Sequence, residues 1–417
     1  MAVSIENRAQ LVYLLTEAAE LEHNVLCCYL FAEFSMKDDT SEGLTSEQLS
    51  NVRRWRSTMR EIASQEMLHL ASACNLLTAI GGAPQLRRPN LPTSPRAYPS
   101  AFRLGLVPFG LEAIDQFIFL ERPESLDPDA RAVPDYRRAP LSIDRLSDIF
   151  SSERDYRTLG ELYRAIEDGL RYLTQKLGEG GLFIGHQASQ TTESYFRMPG
   201  LIAVRDLESA LAALQVIIEQ GEGASLEAED SHYRKFLKMR EEYASVLAGD
   251  GDFKPGRPVV ESPQTMMPSD LGSAASGISA IEDPLTISVC NLFDGCYELL
   301  VQMLGRLFVH ADESEAELKL LADTTVGLMS LAIEPLGSAI TRLPAGPTYP
   351  GLNAGPGFRL SRGASIPTHK ETARFVFHER LSELAAYSRF LESNSGAPPV
   401  LARIREALTR LAASLVA

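Results

Sequence analysis

The stretch SQEMLHLASACNLLTAIGGAP, residues 64–84, constrains this chain more than any other. Counting back from Glu66, Trp55, Met59, Ile62 and Ala63 fall at −11, −7, −4 and −3; counting forward, Leu70, Ala73 and Leu77 fall at +4, +7 and +11. All share one face of a 3.6-residue helix, so the stretch is an amphipathic helix with an acid at the centre of its apolar stripe. His69, three residues on, stands beside that acid. An unpaired carboxylate in such a place is driven to protonate or must be compensated by a partner.

The first helix repeats the anomaly. Leu11, Leu15 and Ala18 precede Glu22 at −11, −7 and −4, and Leu26 and Tyr29 follow at +4 and +7. Glu17 and Glu20 fall off this face and are expected to be solvated. Downstream, EAEDSHYRKF holds Glu229 and His232 with the same i, i+3 spacing, and Leu226, Tyr233 and Phe236 share their face. Two Glu-x-x-His pairs plus an inward glutamate are the ligand pattern of a dinuclear carboxylate site inside a helical bundle. An oxygen-rich donor set with some imidazole suits iron or manganese. On TLGELYRAIEDGL the apolar face borders Glu167 and leaves Glu161 outside, so periodicity selects Glu167 as a fourth acid; Glu222 in EQGEG is a further candidate.

Around these helices the chain reads as mostly α. Helical periodicity covers about 7–36, 47–80, 156–178, 206–247, 285–342 and 369–416, and strand-like alternation is scarce. The expected organisation is a metal-binding bundle with insertions over 1–248, a Gly/Pro/Ser-rich linker over 249–284, and a C-terminal helical region over 285–417 packed on the bundle. The insertions at 84–155 and 178–206 are long enough to shape a substrate site; the second is a candidate lid, and its His186 reads as a surface histidine rather than a substrate contact. His23 is turned about 100° from Glu22 along the helix, which suits a surface place or one behind the ligands. Tyr29 can either pack in the core or hydrogen-bond a ligand.

The charge balance, 40 Lys and Arg against 55 Asp and Glu, gives −15 and argues against non-specific nucleic-acid binding. Five cysteines without a CxxC pair read as small buried hydrophobes of a reducing compartment. The N-terminus MAVSIENRAQ lacks signal-peptide features and no apolar run of membrane-spanning length stands out, so a cytoplasmic protein without a membrane partner is expected. No phosphate-binding glycine loop or nucleophile elbow is visible.

Five blocks of the sequence resemble the ferritin-like family that includes the iminophenyl-pyruvate dimer synthases of bisindole biosynthesis: EAAELEHNVLCCYLFAEFSM, EIASQEMLHLASACNLLTAIGGAPQLRRPNLP, LGELYRAI, IIEQGEGAS with EDSHYRKF, and AGPGF. The likeness spans most of the chain, and EMLH…NLLTAIGGAP is its most specific part. It implies a ferritin-like four-helix bundle and, as ligands, Glu22, Glu66, His69, Glu229 and His232. It also favours Glu161 over Glu167, because GELY is similar to a GEFY-like stretch at the start of the family's third helix. CCYL departs from the family's usual PPYL, which bears on the bend of the first helix and not on the ligands. The function implied is that of a non-haem di-iron oxidoreductase of specialised metabolism. It would use dioxygen to oxidise, desaturate or couple a small, amino-acid-derived substrate, and a homodimer is compatible with it. No residue identifies a haem ligand. A ferroxidase or a non-catalytic metal-stabilised protein are the competing expectations.

Overall fold

Capping fixes where the two central helices begin. Helix α1 (Arg8–Ser35) starts at Asn7, whose side chain accepts from the Gln10 amide; α2 (Ser46–Ala79) starts with a capping box between Thr45 and Gln48. The computed structural model describes residues 5–94, 97–98, 104–123, 156–222, 229–265, 277–361 and 369–416. Along α1 and α2 every apolar residue named above as flanking Glu22 or Glu66 is buried. The two helices pack on each other over much of their length.

The remaining bundle elements are α3 (Leu111–Leu120), α4 (Leu159–Leu177), short turns α5 (Glu179–Leu182) and α6 (Glu193–Phe196), α7 (Leu207–Ile217), a π-turn (Ile218–Glu222) and α8 (His232–Gly249). Helix α4 packs on α1 and α7, α7 also on α2, and α8 on α3 and α2. The stretch 206–247, which GEG interrupts in the sequence, is two helices. Asp206 caps the first, as expected; the second begins not near Ser225 but only at His232, where Ser231 accepts from the Arg234 amide. Glu229 lies in the turn before it.

Beyond the bundle lie α9 (Pro284–Phe308), α10 (Glu315–Leu328), a second π-turn (Met329–Ile333), α11 (Glu334–Ile340), α12 (Lys370–Glu392) and α13 (Val400–Ser414). Helices α9 and α11 carry this region onto α2 and α1. The run Glu315–Ile340 is long and apolar enough to cross a membrane by composition alone, yet it packs on α9 and α13. Strand structure among the described residues is confined to a two-residue parallel pair, Pro263–Gln264 with Ser279–Ala280, and isolated bridges.

Within the 249–284 segment the described residues are packed rather than tethered. Phe253, Val259, Val260 and Ile281 are buried, and the Arg257 guanidinium donates to Phe34 O, Thr341 Oγ1 and Glu42. Gly, Pro and Ser announced an irregular backbone, which here is an irregular backbone inside the core.

Candidate metal centre

Five side chains converge between α1, α2, the end of α3 and the start of α8. Glu22, Glu66 and His69 offer ligand atoms all within 4.8 Å of one another, and so do Glu66, Glu121 and His232; all five residues are buried. Glu66 belongs to both groups and divides its oxygens between them. Its Oε2 is 3.4 Å from His69 Nδ1, and its Oε1 is 2.9 Å from His232 Nδ1. On the outer sides, Glu22 Oε2 is 3.6 Å from His69 Nδ1, and Glu121 Oε1 is 3.4 Å from His232 Nδ1. The result is one carboxylate shared by two half-sites, each of which adds one further carboxylate and one imidazole.

The back of every outer ligand is held. Tyr163 on α4 donates its hydroxyl to Glu22 Oε1, and Tyr29 donates to Glu121 Oε1. His69 Nε2 lies 3.1 Å from Gln220 Oε1, and His232 Nε2 lies 3.0 Å from Gln65 Oε1. An Nε2–H donated to each carboxamide oxygen leaves Nδ1 to present a lone pair to the cluster, the usual way a partner behind an imidazole fixes its ligating nitrogen.

Protons alone satisfy this cluster poorly. Glu22 Oε2, both oxygens of Glu66, His69 Nδ1, Glu121 Oε2 and His232 Nδ1 are buried without a hydrogen-bond partner. Burial pushes the Glu22 carboxyl up to about 8, helped by the Glu66 charge beside it. Burial also opposes charge on Glu66, but His69 and His232 overcome it and hold Glu66 below the usual carboxylate range. Burial opposes charge on the imidazoles as well; Glu66 and Glu22 raise His69 well above its ordinary value, and Glu121 and Glu66 raise His232 to about 9. Three carboxylates and two imidazoles, aimed inward from backed positions, fit a pair of divalent first-row ions of the iron or manganese kind.

Of the residues expected from sequence, Glu22, Glu66, His69 and His232 meet here. Glu161 does not: it sits in the first turn of α4, pointing to its own N-terminus, where it accepts from the Arg157 amide and pairs with the Arg157 guanidinium at 3.2 Å. Glu167 pairs with Arg171 at the surface. Glu229 is exposed, because the helix that would have set it three residues below His232 has not yet begun. The Glu222 side chain lies outside the described residues. Glu121 takes the place of a fourth acid, and its signal was present: it follows Ile114 and Phe117 at +7 and +4 on the α3 stripe. Glu121 is the last residue of that stripe, where the helix stops two residues before Pro123. Gln65 and Gln220 had no sequence signal, since a glutamine behind a ligand looks like any polar residue.

Comparison with known proteins agrees with this architecture. The family described as Ferritin-like matches residues 15–241. The 2-imino-3-(indol-3-yl)propanoate dimerase of Chromobacterium violaceum is 26% identical over 84% of this chain, and the dichlorochromopyrrolate synthase of Lentzea aerocolonigenes is 25% identical over 92% of it. The chain spans 34% and 39% of the lengths of these two relatives. A crystal structure of a ferritin-like protein from Caulobacter vibrioides is similar at a TM-score of 0.45 and 19% identity, covering 76% of this chain and 96% of the other. The inward-facing acids of α1 and α2 thus sit within the stretch that carries the match, and this chain belongs to the ferritin-like family.

Proposed function

We propose that this chain is a metal-dependent oxidative enzyme of specialised metabolism. Its centre holds two irons, with manganese as the competing metal, and its substrate is a small amino-acid-derived molecule of the 2-imino-3-arylpropanoate kind. The observation that carries the metal reading is the set of buried, unpartnered ligand atoms around Glu66. The name of the first relative, a 2-imino-3-(indol-3-yl)propanoate dimerase, supplies the substrate class, and both names describe enzymes that make small molecules.

When bound, the iron pair would supply redox chemistry toward dioxygen that amino-acid side chains lack. The protein's own part follows from its geometry. Glu66 turns one oxygen toward each imidazole and would serve both ions. Tyr163 and Tyr29 hold one oxygen of each terminal carboxylate, leaving the other for an ion. Gln65 and Gln220 orient the imidazoles. With three carboxylates for two divalent ions, the ligands leave part of the charge and coordination capacity uncommitted, as a site that must admit a further small ligand requires.

Anaerobic loading with ferrous iron followed by elemental analysis tests this reading. Two equivalents per chain are expected, with a transient absorbance on admitting oxygen. Glu66→Ala should lose both equivalents, and Glu121→Ala one, while Glu161→Gln and Glu229→Gln keep two. Turnover of an aryl-substituted 2-imino acid by the loaded protein separates an enzyme from an iron store. A wild-type chain that holds no iron, or a Glu161→Gln variant that loses it, defeats the assignment.

A further inference from the structure

The π-turn between α7 and α8 places a glycine against the cluster. A Cβ added to Gly221 would lie 3.1 Å from His232 Nδ1, 3.3 Å from Glu121 Oε2 and 3.4 Å from His69 Cε1. The first two are the unpartnered ligand atoms of one half-site, and the third is a ring carbon of the imidazole in the other. Backbone conformation does not demand the glycine, for Gly221 is absent from the positive-φ positions and lies in helical structure. Within a helix alanine is the better residue on propensity, because glycine gives up more conformational freedom on folding. A buried helical glycine of ordinary φ is there for space.

We propose that the missing side chain of Gly221 is a requirement of the half-site formed by Glu66, Glu121 and His232: the volume it leaves is coordination volume. An ion bonded to both His232 Nδ1 and Glu121 Oε2 sits about 2.1 Å from each. A methyl group within 3.3 Å of both atoms competes for the same space, or for that of the small ligand completing the ion's shell. Neighbouring Gln220 grips His69, so the same π-turn serves both half-sites, one by contact and the other by clearance. This inference rests on the two-metal reading above.

The test compares Gly221→Ala with wild type, as metal-free and as iron-loaded full-length chains. The metal-free variant should fold and melt within a few degrees of wild type, helix propensity favouring the alanine and its close contacts opposing it. On anaerobic ferrous titration it should bind one equivalent tightly and the second roughly 10–100-fold more weakly, the range for disturbing groups around a bound ion. His232→Ala should resemble it, and the double variant should be no worse than either. Two equivalents of wild-type affinity in Gly221→Ala would overturn the inference and leave the two-metal reading standing. A metal-free Gly221→Ala that fails to fold would also overturn it, since the space would then belong to the fold. A wild-type chain that does not take two equivalents removes both readings together.

Discussion

Two glutamates eleven residues apart on α1 show what decides the fate of a buried acid. Glu33 is as buried as Glu22, yet Arg56 and Arg60 reach its Oε1 at 3.2 and 3.0 Å, so it is a satisfied ion pair at the edge of the bundle. No arginine or lysine pairs with Glu22 or Glu66 among the described residues; their polar neighbours are imidazoles, other carboxylates and, for Glu22, the Tyr163 hydroxyl. Burial without a fixed cation is what separates a ligand from a structural acid. Asp294 on α9 is a third case. Burial pushes its carboxyl from 3.8 up to about 7, opposed only in part by the Arg359 amide that it accepts at 3.2 Å. The folded chain keeps this proton after the unfolded chain has released it, so Asp294 draws stability away as pH rises from about 4 to about 7. Asp294→Asn should flatten that part of the profile. Urea midpoints at pH 5 and pH 7.5 should show about 1–3 kcal/mol less loss than wild type, allowing for the part of the residue that reaches solvent. An unchanged slope would mean that the carboxyl ionises freely in the fold.

At the scale of elements, the excursion over 178–206 is a strap and not a lid. The Asn75 carboxamide on α2 donates to Thr191 O at 2.8 Å and Ile202 O at 3.0 Å and accepts from the Thr191 amide at 2.9 Å. Gln190 returns a hydrogen bond to Asn75 O, and Gly185 lies so close to Thr78 O that an added Cβ would fall 1.8 Å from it. His186, exposed, accepts from the Ala188 amide two residues on. Glycine and polar residues were legible in the sequence as irregular backbone. Whether that backbone swings free or is stitched to a helix depends on one asparagine buried among apolar neighbours. Asn75→Ala would leave three backbone groups of the strap without partners and should cost roughly 2–4 kcal/mol. Hydrogen exchange should quicken across 186–204 while α1 stays protected; equal quickening in α1 would show that Asn75 supports the bundle itself.

Across the whole molecule, Arg88 joins the bundle to the C-terminal helices. It is 7% exposed, and among the described residues it forms no ion pair. Its guanidinium donates to the Tyr297 hydroxyl on α9, at 2.8 Å from Nη2, and to Phe358 O. Tyr297 in turn lies 2.6 Å from His23 Nε2 on α1. The side of α1 that carries His23, about 100° around the helix from Glu22, is thus the seam between the two halves of the chain. A single buried cluster of apolar side chains runs from Ile5 to Leu415, which gives the halves one core. Arg88→Met should therefore destabilise both together, by about 3 kcal/mol for hydrogen bonds to a charged group. The unfolding curves followed by Trp55 fluorescence, a probe in α2, and by helical circular dichroism should shift and still coincide. Separation of the two would identify the seam as an interface between independently folding units.

The sequence by itself determined the helical class, the buried faces of α1 and α2, and four of the five side chains that cluster inward among the described residues. Helical periodicity turns an acid on an apolar stripe into a statement about position, and the Glu-x-x-His spacing adds the chemistry. It misplaced Glu229 because membership of a helix face presupposes that the helix extends that far, and α8 starts at His232; Glu161 came from the family resemblance, against a periodicity that left it off the apolar face, and it pairs with Arg157 instead. Only the tertiary structure could bring Glu121 from the end of α3 to complete the second half-site, set Gln65 and Gln220 behind the imidazoles, and fold the π-turn so that Gly221 faces the ligands. Those placements depend on how helices distant along the chain pack against one another, and periodicity within one helix carries no information about its neighbours.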